Sequence, residues 1–283
     1  MTSRADSDVT YIRPAKGWAA INLRDLWLYR ELIYFLTWRD VKVRYKQAAL
    51  GIGWAILQPV MNMVIFTVIF NRFLGVQPDA GIPENFYPIF SFAALLPWQL
   101  FQGALQRAST SLVTNSNLLT KIYFPRLIIP LSAVAAGLVD FLFSFLVMVA
   151  LMLFFHVPFT VNLLWLPVFL LLALTAALAV GLWLSALNVQ YRDVQHMVPF
   201  LLTAWMYASP VVYSASVIKT SAFWQVVYSL NPMVGVIQGF RWALFGTNPP
   251  GLSMAISAAV VAVLLVTGLF YFRRMERNFA DMI

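Results

Sequence analysis

The chain alternates long apolar runs with short polar breaks. A helix needs roughly 20 apolar residues to cross a hydrocarbon core. Six runs approach that length: about Gly51 to Phe73, Ile89 to Leu112, Ile128 to Phe155, Leu163 to Leu187, Met197 to Val212 and Leu252 to Phe272. The fifth is short for a full crossing unless neighbours or a thin bilayer help. Ahead of the first run, residues 22–47 place Leu26, Tyr29, Ile33, Leu36 and Trp38 at roughly helical spacing among many charges. That stretch is too charged to span, and its apolar face with Trp, Lys and Arg borders predicts a helix lying in the membrane interface.

Between the fifth and sixth runs lies a long segment, Tyr213 to Gly251. Its two apolar, aromatic pieces are too short to cross, and Asn231-Pro232 separates them. They predict a pair of re-entrant or interfacial helices. Gly235 and Gly239 form a GxxxG spacing, and Ala173, Ala177 and Gly181 form a ladder of small residues, both of which permit close helix approach. The pattern divides the chain into a flexible tail (1–21), an amphipathic helix with the loop after it (22–50), and a bundle of six transmembrane helices (51–283).

Composition fits this all-α integral membrane architecture. The sequence is 61% hydrophobic and 11% charged, with a mean hydropathy of +0.78, against about 25% charged in a soluble domain. Lys and Arg set the orientation. Sixteen fall before the first run or in the loops that share its side; only Arg72, Lys219 and Arg241 fall on the other. Both termini are therefore expected in the cytoplasm, with the paired short helices facing outward. The first 18 residues have no apolar core of a signal peptide and carry Asp6 and Asp8, so the first span is expected to be the insertion signal.

Much chemistry is excluded. No GxxxxGK[ST] occurs among the five lysines, so the chain has no P-loop. Cysteine is absent, and His156 and His196 are far apart, which argues against a metal centre. The outward loops hold too few acids and nucleophiles for a hydrolase or transferase. Asp140 is the one acid deep in a span. A charge there costs about 2.5–3.5 kcal/mol, so it should face the bundle. It reads either as a proton or ion relay or as a packing hydrogen bond to Gln102, Gln106 or Asn62. Trp98, beside Pro97, and Trp205, Tyr207 and Tyr213, around Pro210, are candidates to line a conduit, since ring faces stack on sugars without fixing one order of hydroxyls.

A basic stretch, Asn115 to Pro130, separates the second and third runs. It predicts a short amphipathic helix, Ser116 to Tyr123, stopped by Pro125. The result is a membrane-surface knob with Phe124 at an apolar centre and Lys121 and Arg126 at a charged rim. A plain topology-setting loop is the other reading.

Several stretches together resemble the membrane subunits of ABC transporters that export polysaccharides, the O-antigen, capsule and teichoic-acid permeases. They are LLPWQLFQGAL (95–105), SLVTNSNLLTKIYFPRLIIPLSAV (111–134), ALNVQYRDVQHMVPFLLTAWMYASPVVY (186–213) and NPMVGVIQGFRWALFG (231–246). The resemblance implies a homodimer of permeases on two copies of a separate ATPase, which holds ATP and Mg, so that this chain needs no cofactor and is no enzyme. It implies an undecaprenyl-diphosphate-linked glycan as cargo, in the bacterial inner membrane. It assigns ATPase coupling to Asn117, Leu118, Lys121, Tyr123, Phe124, Pro125 and Arg126. It assigns the cytoplasmic gate to the interfacial helix with Leu50 and Gly51, and the outer gate to the short paired helices. An exporter of a small lipid or drug, a membrane-embedded lipid-phosphate enzyme and a scaffold are the competing readings. The enzyme would need a carboxylate cluster that the sequence lacks.

Overall fold

The computed structural model describes residues 23–46, 53–79, 81–214, 222–247, 249–276 and 279. The tail, the Leu50-Gly51 loop and residues 215–221 lie outside them. Among the described residues the chain is helical, with no strand.

Two helices precede the bundle: α1 (Leu23–Leu28) and α2 (Arg30–Lys46). Leu36 and Val41 of α2 are buried, and Leu26, Tyr29 and Ile33 pack half-buried beside Leu36. Trp38 departs from the expectation: it is 55% exposed. Positions 26, 29, 33 and 36 follow the three-and-four spacing of one helix face, and residue 38 lies about 200° round from 36 at 3.6 residues per turn. Trp38 therefore joins Trp27, Tyr34 and Phe35 on an exposed aromatic face.

α3 (Gly53–Phe66) continues without a break into a π-helical segment, Thr67–Phe73. α4 (Tyr87–Thr114) has 28 residues, about 42 Å at 1.5 Å per residue. Every residue from Ile89 to Trp98 is buried, and α3, α6, α7, α8, α9 and α11 all pack on it. The helix runs through Pro97 uninterrupted. α5 (Ser116–Lys121) stops two residues before the predicted end, where Ile122 turns extended at φ −131°, ψ 135°. α6 (Ile128–Ala135) and α7 (Gly137–Phe154) run nearly end to end. A short 3-10 turn, Val161–Trp165, leads into α8 (Leu166–Gln190), followed by α9 (Val194–Tyr207). α10 (Ala222–Ser229), α11 (Pro232–Phe245) and α12 (Leu252–Glu276) complete the order.

Among the described residues, four segments are long and apolar enough to cross a membrane: Gly53–Phe73, Ile128–Phe154, Val161–Gln190 and Leu252–Glu276. α4 is long enough but carries Gln99, Gln102, Gln106 and Arg107. Its neighbours shield it, so it can afford polar groups that a lipid-facing helix could not. α9 has 14 residues, about 21 Å.

The small-residue spacings have a packing cause. A Cβ on Gly181 would come within 2.7 Å of Ala108 Cβ, and one on Gly239 within 2.3 Å of the Phe169 ring. α8 therefore lies close against α4 on one side and α11 on another. α11 begins where the sequence places the break: Asn231 caps it by accepting from the Met233 N–H at 3.0 Å, and Pro232 takes the first helical position. Most of α11 is buried, while α10 exposes Phe223 and Trp224. The two short helices are thus unequal: one is core and the other is surface.

Candidate functional site

Asp140 sits near the start of α7, and its partners differ from those expected. Arg44 Nη1 and Tyr45 Oη, from the end of α2, donate to its carboxylate. Arg107 of α4 donates from Nη1 at 3.3 Å, and its Nε reaches the Ala133 carbonyl at 3.3 Å. One acid thus joins α2, α4 and α7. Neither Gln102, Gln106 nor Asn62 takes part, because a carboxylate near guanidinium groups gains more from charge-assisted bonds than from an amide. Burial first, and the bond to Asp140 next, push the Tyr45 phenol above its ordinary range. Gly137 makes the arrangement possible: a Cβ there would lie 2.4 Å from Arg107 Nη2.

Beside this cluster is a cavity of about 460 Å³ between the end of α2 and helices α3, α4 and α7. Its wall includes Arg44, Arg107 and Asp140, the amides of Gln58, Gln99, Gln102 and Gln106, and the rings of Tyr45, Trp54 and Phe141. Gln99 Nε2 is buried without a hydrogen-bond partner.

The aromatic candidates separate. Trp98 is fully buried, with Nε1 donating to Gln102 Oε1 at 3.0 Å and its ring beside Phe101. It is a core ring in this protomer. Trp205 is half-buried; its Nε1 donates to Asn231 Oδ1 at 2.9 Å, and its ring meets Phe101 edge-on. Tyr207 is exposed, and its carbonyl accepts from Tyr213 Oη at 3.2 Å, which in turn accepts from Tyr228 Oη at 3.1 Å. Behind these rings lies Arg241, fully buried, with its guanidinium 3.6 Å from the Phe90 ring centre. Arg241 donates to the Tyr213 carbonyl at 3.2 Å and the Val211 carbonyl at 3.1 Å. It pins the turn that follows α9.

The basic stretch also departs from its expected anatomy. Phe124 is 6% exposed. It packs in a cluster with Leu36, Leu119, Leu127, Phe272 and Phe279, inside the protomer. Arg126 does not stand free at a rim: Nη1 donates to the Glu276 carbonyl, and the guanidinium lies 5.9 Å from the Phe279 ring centre. The outer tip is Ile122 and Tyr123, 58% and 75% exposed, with Lys121 and Asn117 exposed beside them. Leu118 and Pro125 are half-buried at its base. Leu50 and Gly51 lie outside the described residues, bracketed by Tyr45 and Trp54 of the cavity wall.

The ABC-2 type transporter family matches residues 31–245, from the start of α2 to the end of α11. The chain belongs to that family. Among similar proteins, the O-antigen export system permease protein RfbA of Myxococcus xanthus is 33% identical over 264 residues, covering 92% of this chain and 98% of that one. The RfbA protein of Klebsiella pneumoniae is 27% identical over 254 residues, covering 89% and 95%. The polysialic acid transport protein KpsM of Escherichia coli is 27% identical over 246 residues, covering 84% and 91%.

Three cations that organise this ABC-2 permease are quiet in the sequence. Arg44 reads as an ordinary polar position of an amphipathic helix, and Arg107 as a topology signal. An intramembrane acid needs a cation, and Arg107 was the nearest one within an adjacent span, so the signal was present. Arg241 was counted among the few outward charges. Its place within an apolar, Gly-containing helix, GFRWALFG, was the sign that it would be buried and bonded.

Proposed function

We propose that this permease is the membrane subunit of an ATP-driven exporter of a lipid-linked polysaccharide. The observation that carries the reading is the match to an O-antigen export permease across nearly the whole of both chains. The cargo is an undecaprenyl-diphosphate-linked glycan like an O-antigen, moved from cytoplasm to periplasm or cell exterior. Two copies form the channel, and two copies of a separate ATPase bind ATP and Mg and drive it.

In this reading six helical segments cross the bacterial inner membrane: α3 with its π-helical end, α4, α6 with α7, α8, α9 and α12. Both termini are cytoplasmic. α10 and α11 face outward as re-entrant helices and form the outer gate with Trp205, Tyr207 and Tyr213. α2 with Leu50 and Gly51 forms the cytoplasmic gate, held by Arg44 and Tyr45 on Asp140. The tip around Ile122 and Tyr123, with Lys121 and Asn117, seats in a groove of the ATPase. Leu118, Phe124, Pro125 and Arg126 set the angle of that tip by anchoring it to the bundle.

Depleting the permease in its own cell tests this directly. Lipid-linked glycan accumulates on the cytoplasmic face and disappears from the exterior. Unchanged surface glycan, with a small amphipath retained instead, would replace this reading with export of a small lipid or drug.

A further inference from the structure

We propose that the cavity bordered by α2, α3, α4 and α7 is a subsite for a neutral saccharide unit of the glycan. This rests on the export function above and assigns part of the cargo to particular side chains. Gln99, Gln102 and Gln106 follow three-and-four spacing and share one face of α4. Gln58 adds a fourth amide from α3. Amides both donate and accept, as sugar hydroxyls do. Trp54, Tyr45 and Phe141 add ring faces to the same wall, and these can cover the C–H side of a pyranose. The volume, about 460 Å³, falls among small-molecule pockets, roughly 300–1,000 Å³.

Two features separate ligand binding from mere helix packing. Gln99 Nε2 is buried with no partner in the protein, and such a donor is costly until something bonds to it. The charges also favour a ligand that leaves the cluster intact. Arg44 and Arg107 both already bond to Asp140. An anion drawn to the two guanidiniums would have to share them with that carboxylate. A neutral polyol makes no such demand and bonds to the amides instead.

The test uses the complete permease–ATPase complex in nanodiscs. Three probes are titrated calorimetrically: the glycan on its lipid carrier, the same saccharide released from the carrier by mild acid, and inorganic diphosphate. The released saccharide should bind the wild type. Gln99→Leu should weaken it on the order of tenfold, the loss of one good hydrogen bond. Its melting temperature should hold or rise, because the unpartnered donor is gone. Gln106→Leu, at the exposed mouth, supplies the same readout if Gln99→Leu fails to assemble. Unchanged saccharide affinity in the variants that assemble would overturn the subsite and leave the export function standing. Displacement of the saccharide by diphosphate would overturn the neutral-sugar assignment. No response of the wild-type complex to lipid-linked glycan would overturn the export function itself.

Discussion

Asp140→Leu is the most informative single perturbation. It leaves Arg44 and Arg107 without their shared acceptor. The side chains are about a third exposed or less: 33% for Arg44, 31% for Asp140 and 23% for Arg107. Removing one partner of a fully buried pair costs about 3–5 kcal/mol, whereas an exposed pair contributes about 0–1 kcal/mol. At this partial exposure the loss should be about 2 kcal/mol, or roughly thirtyfold in the folding equilibrium. Two charges share one acid, so the pairwise terms should not add. Asp140→Asn keeps an acceptor for Tyr45 and loses only the charge. It should cost about 1 kcal/mol and preserve export, since no second intramembrane acid stands ready for a proton. The assay is a double-mutant cycle of Asp140→Leu with Arg107→Met, read by thermal unfolding of the purified complex. A coupling energy of about 1 kcal/mol or more supports the ion pair. A coupling near zero would refute it, and loss of export in an intact Asp140→Asn complex would restore the relay reading.

Other outcomes follow from where side chains lie. Tyr123→Asp, at the exposed tip, should leave the permease folded while export falls and ATP hydrolysis continues at a basal rate; normal export would reduce this stretch to a topology loop. Phe124→Asp should instead lower the yield of folded protein, because a buried unpaired charge costs several kcal/mol; a well-folded Phe124→Asp would contradict the burial. Arg241→Met should cost about 2–4 kcal/mol for two charged hydrogen bonds lost from a dry site and expose the 211–214 turn to protease, and Arg241→Lys should not rescue it, because one ammonium lacks the fork that reaches both carbonyls. Gly239→Ala should destabilise by about 1–3 kcal/mol through overpacking on Phe169, seen as a lower melting temperature of the complex.

The sequence by itself determined the membrane class, the positions of the apolar runs, the helix ahead of the first run and the break at Asn231-Pro232. These are local consequences. A run is apolar because lipid demands it, and a helix starts where a capping side chain and a proline allow it. It also marked Asp140 as a residue that must face inward. Only the tertiary structure decided which side of each helix meets which neighbour. A helix that is apolar all round carries no stripe to mark its buried face, so nothing local revealed that Trp98 and Phe124 are core while Ile122 and Tyr123 are tip. The same cause hid the burial of α11, a short piece that reads as a re-entrant or interfacial helix and is buried on most of its surface. The partners of Asp140 came from α2 and α4, 96 and 33 residues away. Distances of that kind are set by packing, through the room that Gly137 leaves for Arg107, and no periodicity along the chain encodes them.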